Sequence, residues 1–150
     1  MVRTGLVALC CAVAIALVAP SLALTGGLPC APVDDSSIHF QYARSLFDGH
    51  HSRYNPQDPP TSGNTSLLYP LLIAIGFAMG LEGQNILWWA WAIDLAAYIA
   101  LALGACAFAR LVLASILPQL EQVQVALMAG VAASLVVCAG AVVWAAMSGM

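Results

Sequence analysis

Two adjacent carboxylates, Asp34 and Asp35, are the residues of this sequence whose types and spacing best suit chemistry. They follow a long apolar run by about ten residues, so a helix through that run would leave them close to a lipid surface. Neighbouring carboxylates do not both ionise cheaply unless a cation or a hydrogen-bond donor lies beside them. The pair therefore suits a general base beside a metal ligand or a hydrogen-bonding partner. The alternative is a pair that only caps a helix at its positively polarised end, and the spacing alone favours this alternative.

Other polar side chains follow the pair at helical spacing. Asp35, His39 and Tyr42 fall at i, i+4 and i+7, so they share a face if the segment is helical. Arg44 comes two residues later, within reach of phosphate oxygens at a membrane surface. The alternative is the solvated side of an amphipathic helix, and this is the favoured interpretation for His39.

The remaining polar patterns are less specific. His50 and His51 have the side chain that binds metals, but adjacent histidines in a glycine-flanked turn are typical of an exposed loop. Asn64, Thr65 and Ser66 match the N-glycosylation acceptor pattern, although capping of the apolar helix that follows is the favoured role.

Asp94 is an ionisable residue inside a long apolar run, where such residues are costly and often functional. Three tryptophans shortly before it indicate a shallow depth in the membrane, which lowers that cost and weakens the functional interpretation: Trp88, Trp89 and Trp91.

The chain that must position these residues is strongly apolar. Of its 150 residues, 62% are hydrophobic and 7% are charged, a balance that predicts a membrane protein. It contains no Lys and four Arg, which excludes a basic nucleic-acid footprint and a polybasic lipid-binding patch. Its five Cys form no disulfide or metal pattern.

The first helix is predicted over residues 1–24, as an uncleaved signal anchor. The apolar run 5–24 is long enough to cross about 30 Å of hydrocarbon, and Arg3 precedes it. A cleaved signal peptide is the alternative, because Ser21 and Ala23 offer small residues at a possible cleavage site. Both interpretations place residue 25 onward outside the cytoplasm.

Residues 25–85 are predicted to form an extracytoplasmic loop with two short helices. The first, 36–48, is amphipathic and predicted to lie on the membrane surface, with four residues near one apolar face: Ile38, Tyr42, Leu46 and Phe47. The second, 67–79, is too short to span and is predicted to be interfacial or re-entrant.

Two further transmembrane helices are predicted, over 86–110 and 123–147, with a cytoplasmic loop over 111–122. Arg3 and Arg110 then both face the cytoplasm, as the positive-inside tendency prefers. The fold class is an all-α polytopic membrane protein of about three transmembrane helices. Three helices enclose a buried site poorly, so we expect a fragment, cut short at 148–150 and inactive when isolated.

Four motifs occur in order along the polar loop: Asp34-Asp35-Ser-Ser-Ile-His-Phe-Gln-Tyr42-Ala43-Arg44, Asp48-Gly49-His50, Tyr54-Asn55-Pro56-Gln-Asp58-Pro59 and Gly63-Asn64-Thr65-Ser66. This order resembles the first outer loop of membrane glycosyltransferases of the GT-C class. Within that class it is similar to the bacterial mannosyl-, aminoarabinose- and arabinofuranosyl-transferases, which use polyprenyl-phosphate sugars. The stretch Trp144–Met150 resembles the opening of a further motif of that group. The resemblance covers the whole chain but only the amino-terminal portion of such an enzyme.

The resemblance implies a multi-span α-helical fold whose outer-loop helices match 36–48 and 67–79. It implies that Asp34 is the catalytic base, and that Asp35 supports it or binds a divalent cation, the one cofactor implied. It further implies that the donor and acceptor are bound by residues of the loop: Arg44, Tyr42, His39, Asn64 and Thr65. Gln41 departs from the family, which often has Arg there, and Asn64 replaces a usual aromatic.

The implied partners are a polyprenyl-phosphate-linked sugar, a glycan, lipid or protein acceptor, and the lipid bilayer. The implied location is a bacterial inner or plasma membrane in the cell envelope, with the amino terminus cytoplasmic.

Two other hypotheses stay open. One is a non-enzymatic membrane protein that packs against a larger partner through small residues: Gly104, Ala105, Ala129, Gly130, Ala133 and Gly140. The other is a transporter fragment in which Asp94 is the functional carboxylate.

Overall fold

The computed structural model describes residues 1–30, 34–61, 63 and 66–147, and describes only the backbone of residues 34, 35, 146 and 147. Within those ranges the chain is helical with no strand, which confirms the predicted all-α class. The helices are α1 (Val2–Leu24), α2 (Asp34–Phe47), α3 (Leu68–Ala78), α4 (Gln84–Ile116), α5 (Gln122–Val137) and α6 (Gly140–Met147).

The chain divides into two compact units. One, called here the apolar unit, contains Met1–Pro20 and Asp94–Met147. The other, called the loop unit, contains Ser21–Ile93. Each unit has its own buried apolar clusters.

Two helices, α1 and α4, are long and apolar enough to cross a membrane. In their most apolar 18-residue windows, 17% and 11% of the residues are buried. The core helix of a soluble protein is mostly buried, whereas these two windows bury few of their residues.

Helix α4 continues six residues beyond the predicted end at 110, so the first half of the predicted loop 111–122 is helical. No glycine or proline lies between Arg110 and Pro118. The α conformation is disfavoured for the residue before a proline, which here is Leu117. Helix α4 accordingly ends one residue earlier, at Ile116.

The predicted third transmembrane helix, 123–147, is not one helix in the structure. Helix α5 has 16 residues and α6 has eight, with a break at Cys138 and Ala139. The buried Tyr98 hydroxyl donates a hydrogen bond to the backbone oxygen of Val137. In an uninterrupted helix, this oxygen would accept a hydrogen bond from the backbone N–H four residues later. A side chain that enters the backbone ladder in this way kinks or breaks a helix.

Small side chains fill the core of the apolar unit. Ala129 and Ala133 are fully buried in a cluster with Leu6 and Cys106. A Cβ added to Gly130 would lie 2.8 Å from a methyl carbon of Val2, so this glycine permits close helix contact. Three of the small residues that suggested packing against a partner are thus buried within the chain itself.

In the loop unit, α2 begins two residues before the predicted 36 and ends one residue before 48. Gly49, at φ 84°, ends it with a Schellman motif, in which the Gly49 N–H bonds Leu46 and the His50 N–H bonds Ser45. Helix α3 packs closely against α2 and lies within the predicted 67–79.

Candidate functional site

The acidic pair lies in the first turn of α2. The amino end of a helix is positively polarised and favours carboxylates, so the position suits both a catalytic pair and a structural one. The side chains of Asp34 and Asp35 lie outside the described residues. Their predicted roles, including the metal-ligand role of Asp35, therefore stay predictions.

The buried face of α2 differs from the predicted apolar face. Ile38 and Leu46 are only half-buried, and Phe47 is 46% exposed. The buried residues are instead mostly polar or small: Ser36, His39, Tyr42, Ala43 and Ser45. This face packs on α3 and the following loop, which supply hydrogen-bonding groups that a lipid surface lacks.

His39 is 2% exposed, so the solvated alternative for this residue is wrong. Its imidazole meets the ring of Tyr69, the second residue of α3, edge-on at 5.5 Å between centroids. Tyr69 is itself buried, and no sequence pattern indicated this contact because the two residues are far apart along the chain. His39 therefore joins α2 to α3 next to the acidic end of the site.

Tyr42 faces the loop that follows α2. Its hydroxyl lies 2.6 Å from the Thr61 hydroxyl, and its ring meets the Tyr54 ring edge-on at 5.9 Å. A Cβ on Gly63 would lie 2.9 Å from the Tyr42 hydroxyl, so the backbone passes very close to it. The side chain predicted to bind substrate is thus in contact with Tyr54 and Thr61 and passes close to Gly63.

Residues 52–61, called here the Ω loop, are ordered by their own polar groups. The Thr61 N–H bonds the Ser52 carbonyl at 2.7 Å and closes the loop. The Arg53 guanidinium donates to the carbonyls of Pro56 and Asp58, at 3.3 and 3.1 Å. The Asp58 carboxylate accepts from both the backbone and the side chain of Asn55, at 3.0 and 2.8 Å.

Gln41, the departure from the family pattern, has a contact of its own. Its amide nitrogen donates to the Tyr54 carbonyl at 2.8 Å. This bond and the Tyr42 contact with Thr61 fasten the two sides of the Ω loop to neighbouring residues of α2. The sequence identified the departure but not its structural role.

Arg44 is engaged by two carboxylates. Its guanidinium lies 2.9 Å from Glu82 and 3.3 Å from Asp48, and it stacks on the rings of Phe47 and Phe77 at 5.8 and 5.3 Å. The hydrogen bond to Glu82, with the charge of Asp48, raises the pKa of Arg44 above its ordinary value. A phosphate would have to compete with both carboxylates for this cation.

Helix α3 is held against the start of α4 by Trp89, whose ring N–H donates to the Leu72 carbonyl at 2.9 Å. A Cβ on Gly76 would lie 2.5 Å from the Trp89 ring and 2.6 Å from Ile86. A glycine in the middle of an apolar helix is the sequence signal for such a close approach.

The other predicted site residues are dispersed or undescribed. His51 is exposed, His50 is half-buried, and Asn64 and Thr65 lie outside the described residues. Asp94 is 8% exposed and belongs to the apolar unit. Among the described residues, no three His, Cys, Asp or Glu form a group that could hold a metal ion.

Comparison of the chain with protein-family models, with curated proteins and with solved structures finds no match in any of the three.

Proposed function

We propose that this chain is the amino-terminal part of an integral-membrane glycosyltransferase of the GT-C class. It would move a sugar from a polyprenyl-phosphate donor to an acceptor hydroxyl outside the cytoplasm. The observation that carries the proposal is the position of the acidic pair: Asp34 and Asp35 begin α2, just after the membrane-length helix α1. A base at this position meets a donor whose phosphate lies at the lipid surface.

The proposed topology has three spans. Helices α1 and α4 cross the membrane, and α5 with α6 forms a third, broken span. Helix α3 has 11 residues, about 17 Å at 1.5 Å each, which is well short of the hydrocarbon thickness. Its exposed apolar residues support an interfacial position: Leu68, Leu71 and Ile75. The amino terminus is then cytoplasmic, as in a bacterial inner or plasma membrane.

In the proposed reaction, the Asp34 carboxylate takes the proton of the acceptor hydroxyl. The acceptor oxygen forms its bond to the anomeric carbon as the bond from that carbon to the phosphate oxygen breaks. The polyprenyl phosphate leaves as an anion, and a single displacement inverts the anomeric configuration. Asp35 supports the base or binds a divalent cation.

The leaving phosphate needs positive charge. In the described part of the loop unit, both arginines have other partners: Arg44 pairs with two carboxylates and Arg53 bonds two carbonyls. This supports a contribution from a divalent cation or from other parts of the enzyme. It argues against Arg44 as the residue that binds the leaving phosphate.

The test compares variants expressed from the complete natural reading frame. Membranes would be supplied with radiolabelled hexoses and pentoses on polyprenyl phosphate, and transfer to the membrane acceptors would be measured. Asp34→Asn is expected to lower the rate at least 100-fold, as loss of a general base does. Asp58→Asn is the matched control, since an amide oxygen still accepts from Asn55.

Equal activity of the Asp34→Asn and unaltered proteins would overturn the proposal, as would an absence of transfer from every donor. Loss of function on Asp94→Asn, with Asp34→Asn inert, would favour the transporter hypothesis instead.

A further inference from the structure

We infer that Gln41 and Tyr42 are positioning residues that hold the Ω loop on α2, the helix that begins with the predicted catalytic pair. The inference about loop order stands on the described contacts alone. Its consequence for sugar transfer rests on the proposed function.

The Ω loop has an internal framework. Its ends are joined by the Thr61–Ser52 backbone bond, and its interior is crossed by the Arg53 and Asp58 side chains. The Asp58 N–H also bonds the Asn55 carbonyl, which closes a turn. A loop with close ends and this many local bonds is compact and packed by its own side chains.

The Ω loop has two polar attachments to α2. Gln41 donates to the Tyr54 carbonyl, and Tyr42 bonds the Thr61 hydroxyl. Tyr54 lies near the beginning of the loop and Thr61 at its end. Two attachments at separate points prevent rotation of the loop about either one.

The attachment at Tyr42 lies well along α2 from the predicted base. Tyr42 is eight residues beyond Asp34, which is about 12 Å along the axis of α2. Neither Tyr42 nor its neighbour Gln41 is therefore expected to take part in proton transfer. Release of the loop is expected to weaken substrate binding and to leave the chemical step nearly unchanged.

The experiment measures amide hydrogen exchange of the full chain in lipid nanodiscs. Three variants each remove one member of an attachment: Gln41→Glu, Tyr42→Phe and Thr61→Val. A fourth variant, Gln41→Arg, has an N–H donor toward the Tyr54 carbonyl, which Gln41→Glu lacks. Exchange at the Asp58 and Thr61 amides is expected to accelerate about fivefold in the first three variants, because each loses one net hydrogen bond. Exchange in Gln41→Arg is expected to return toward the unaltered rate.

A double variant gives the sharper check. Tyr42→Phe with Thr61→Val is expected to exchange no faster than either single variant, since both remove the same bond. Tyr54→Phe is the matched control, because it keeps the ring and the backbone carbonyl. Unchanged exchange in both Gln41→Glu and Tyr42→Phe would overturn the inference, and so would additive effects in the double variant.

The same variants separate this inference from the proposed function. In membranes that transfer sugar, Gln41→Glu and Tyr42→Phe are expected to raise KM about fivefold with kcat changed less than twofold, and Gln41→Arg to restore KM. A fall in kcat with KM unchanged would contradict the positioning role. If the unaltered membranes transfer no sugar, the proposed function fails while the exchange experiment still decides the order of the loop.

Discussion

The loop unit and the apolar unit are each stabilised internally by a different kind of interaction. In the loop unit, side chains bond to backbone carbonyls and aromatic rings meet edge-on, as in the bonds from Gln41 and Trp89. In the apolar unit, the buried cores are made largely of alanine, cysteine and glycine, which let helices approach closely. The difference matches two environments, because a polar loop has backbone groups to satisfy whereas helices in lipid gain most from close packing.

The largest expected effect is in the loop unit. Gly76→Val would place side-chain atoms within the space of Trp89 and Ile86, and overpacking of this kind costs about 1–3 kcal/mol. Gly104→Val is the matched control in the apolar unit, because nothing lies within 4 Å of its Cβ position. Unfolding of the purified chain in detergent, followed by tryptophan fluorescence, measures both. Equal loss of stability in the two variants would contradict the close approach at Gly76.

A smaller loss is expected from Trp89→Phe, which removes the donor to the Leu72 carbonyl and costs about 1 kcal/mol. Trp88→Phe is the control, because Trp88 is 44% exposed and retains a ring for its contact with Trp91. The same unfolding measurement applies. If the two substitutions were equally mild, the bond from Trp89 would contribute nothing to the attachment of α3.

Tyr98→Phe tests a buried polar contact of the apolar unit, the bond to the Val137 carbonyl. Interhelical hydrogen bonds in membranes average about 0.6 kcal/mol, so the change in stability is expected to be slight. The clearer result is structural: with the hydroxyl gone, Val137 is free to accept from the Ala141 N–H, and that amide should exchange more slowly. Faster exchange at Ala141, or no change, would show that Tyr98 does not cause the break between α5 and α6.

The smallest effect is expected from Glu82→Gln, which removes one partner of Arg44. Both side chains are well exposed, and exposed ion pairs contribute little. The difference from the unaltered chain should vanish at about 1 M salt, where charges are screened within about 3 Å. A salt-independent difference would mean that Glu82 acts through something other than its charge.

Much of the helical framework could be predicted from the sequence. Continuous apolar runs indicated α1 and α4, and Gly49 indicated the end of α2, because these signals are local. The end of α4 was placed too early at Arg110, since a single charge does not stop a helix, whereas the proline at 118 restricts the residue before it.

The site was harder to predict because its contacts join distant residues. Helical spacing placed His39 and Tyr42 on related faces, but could not show that one meets Tyr69 and the other Thr61. Likewise, the charge of Arg44 suggested a phosphate ligand, while Glu82, 38 residues further along the chain, is its partner. The hydroxyl that bonds Val137 at the end of α5 belongs to Tyr98 of α4, and this contact could not be read from residues 123–147 alone.

The attachments of the Ω loop also bear on the order in which the chain folds. The bonds that close and fasten this loop join residues at most 19 positions apart. Contacts over short separations form quickly, since little chain entropy is lost in bringing their partners together. By contrast, the contact of Val2 with Gly130 cannot form until Gly130 has been synthesised. The Ω loop can therefore assemble on α2 well before Val2 meets Gly130.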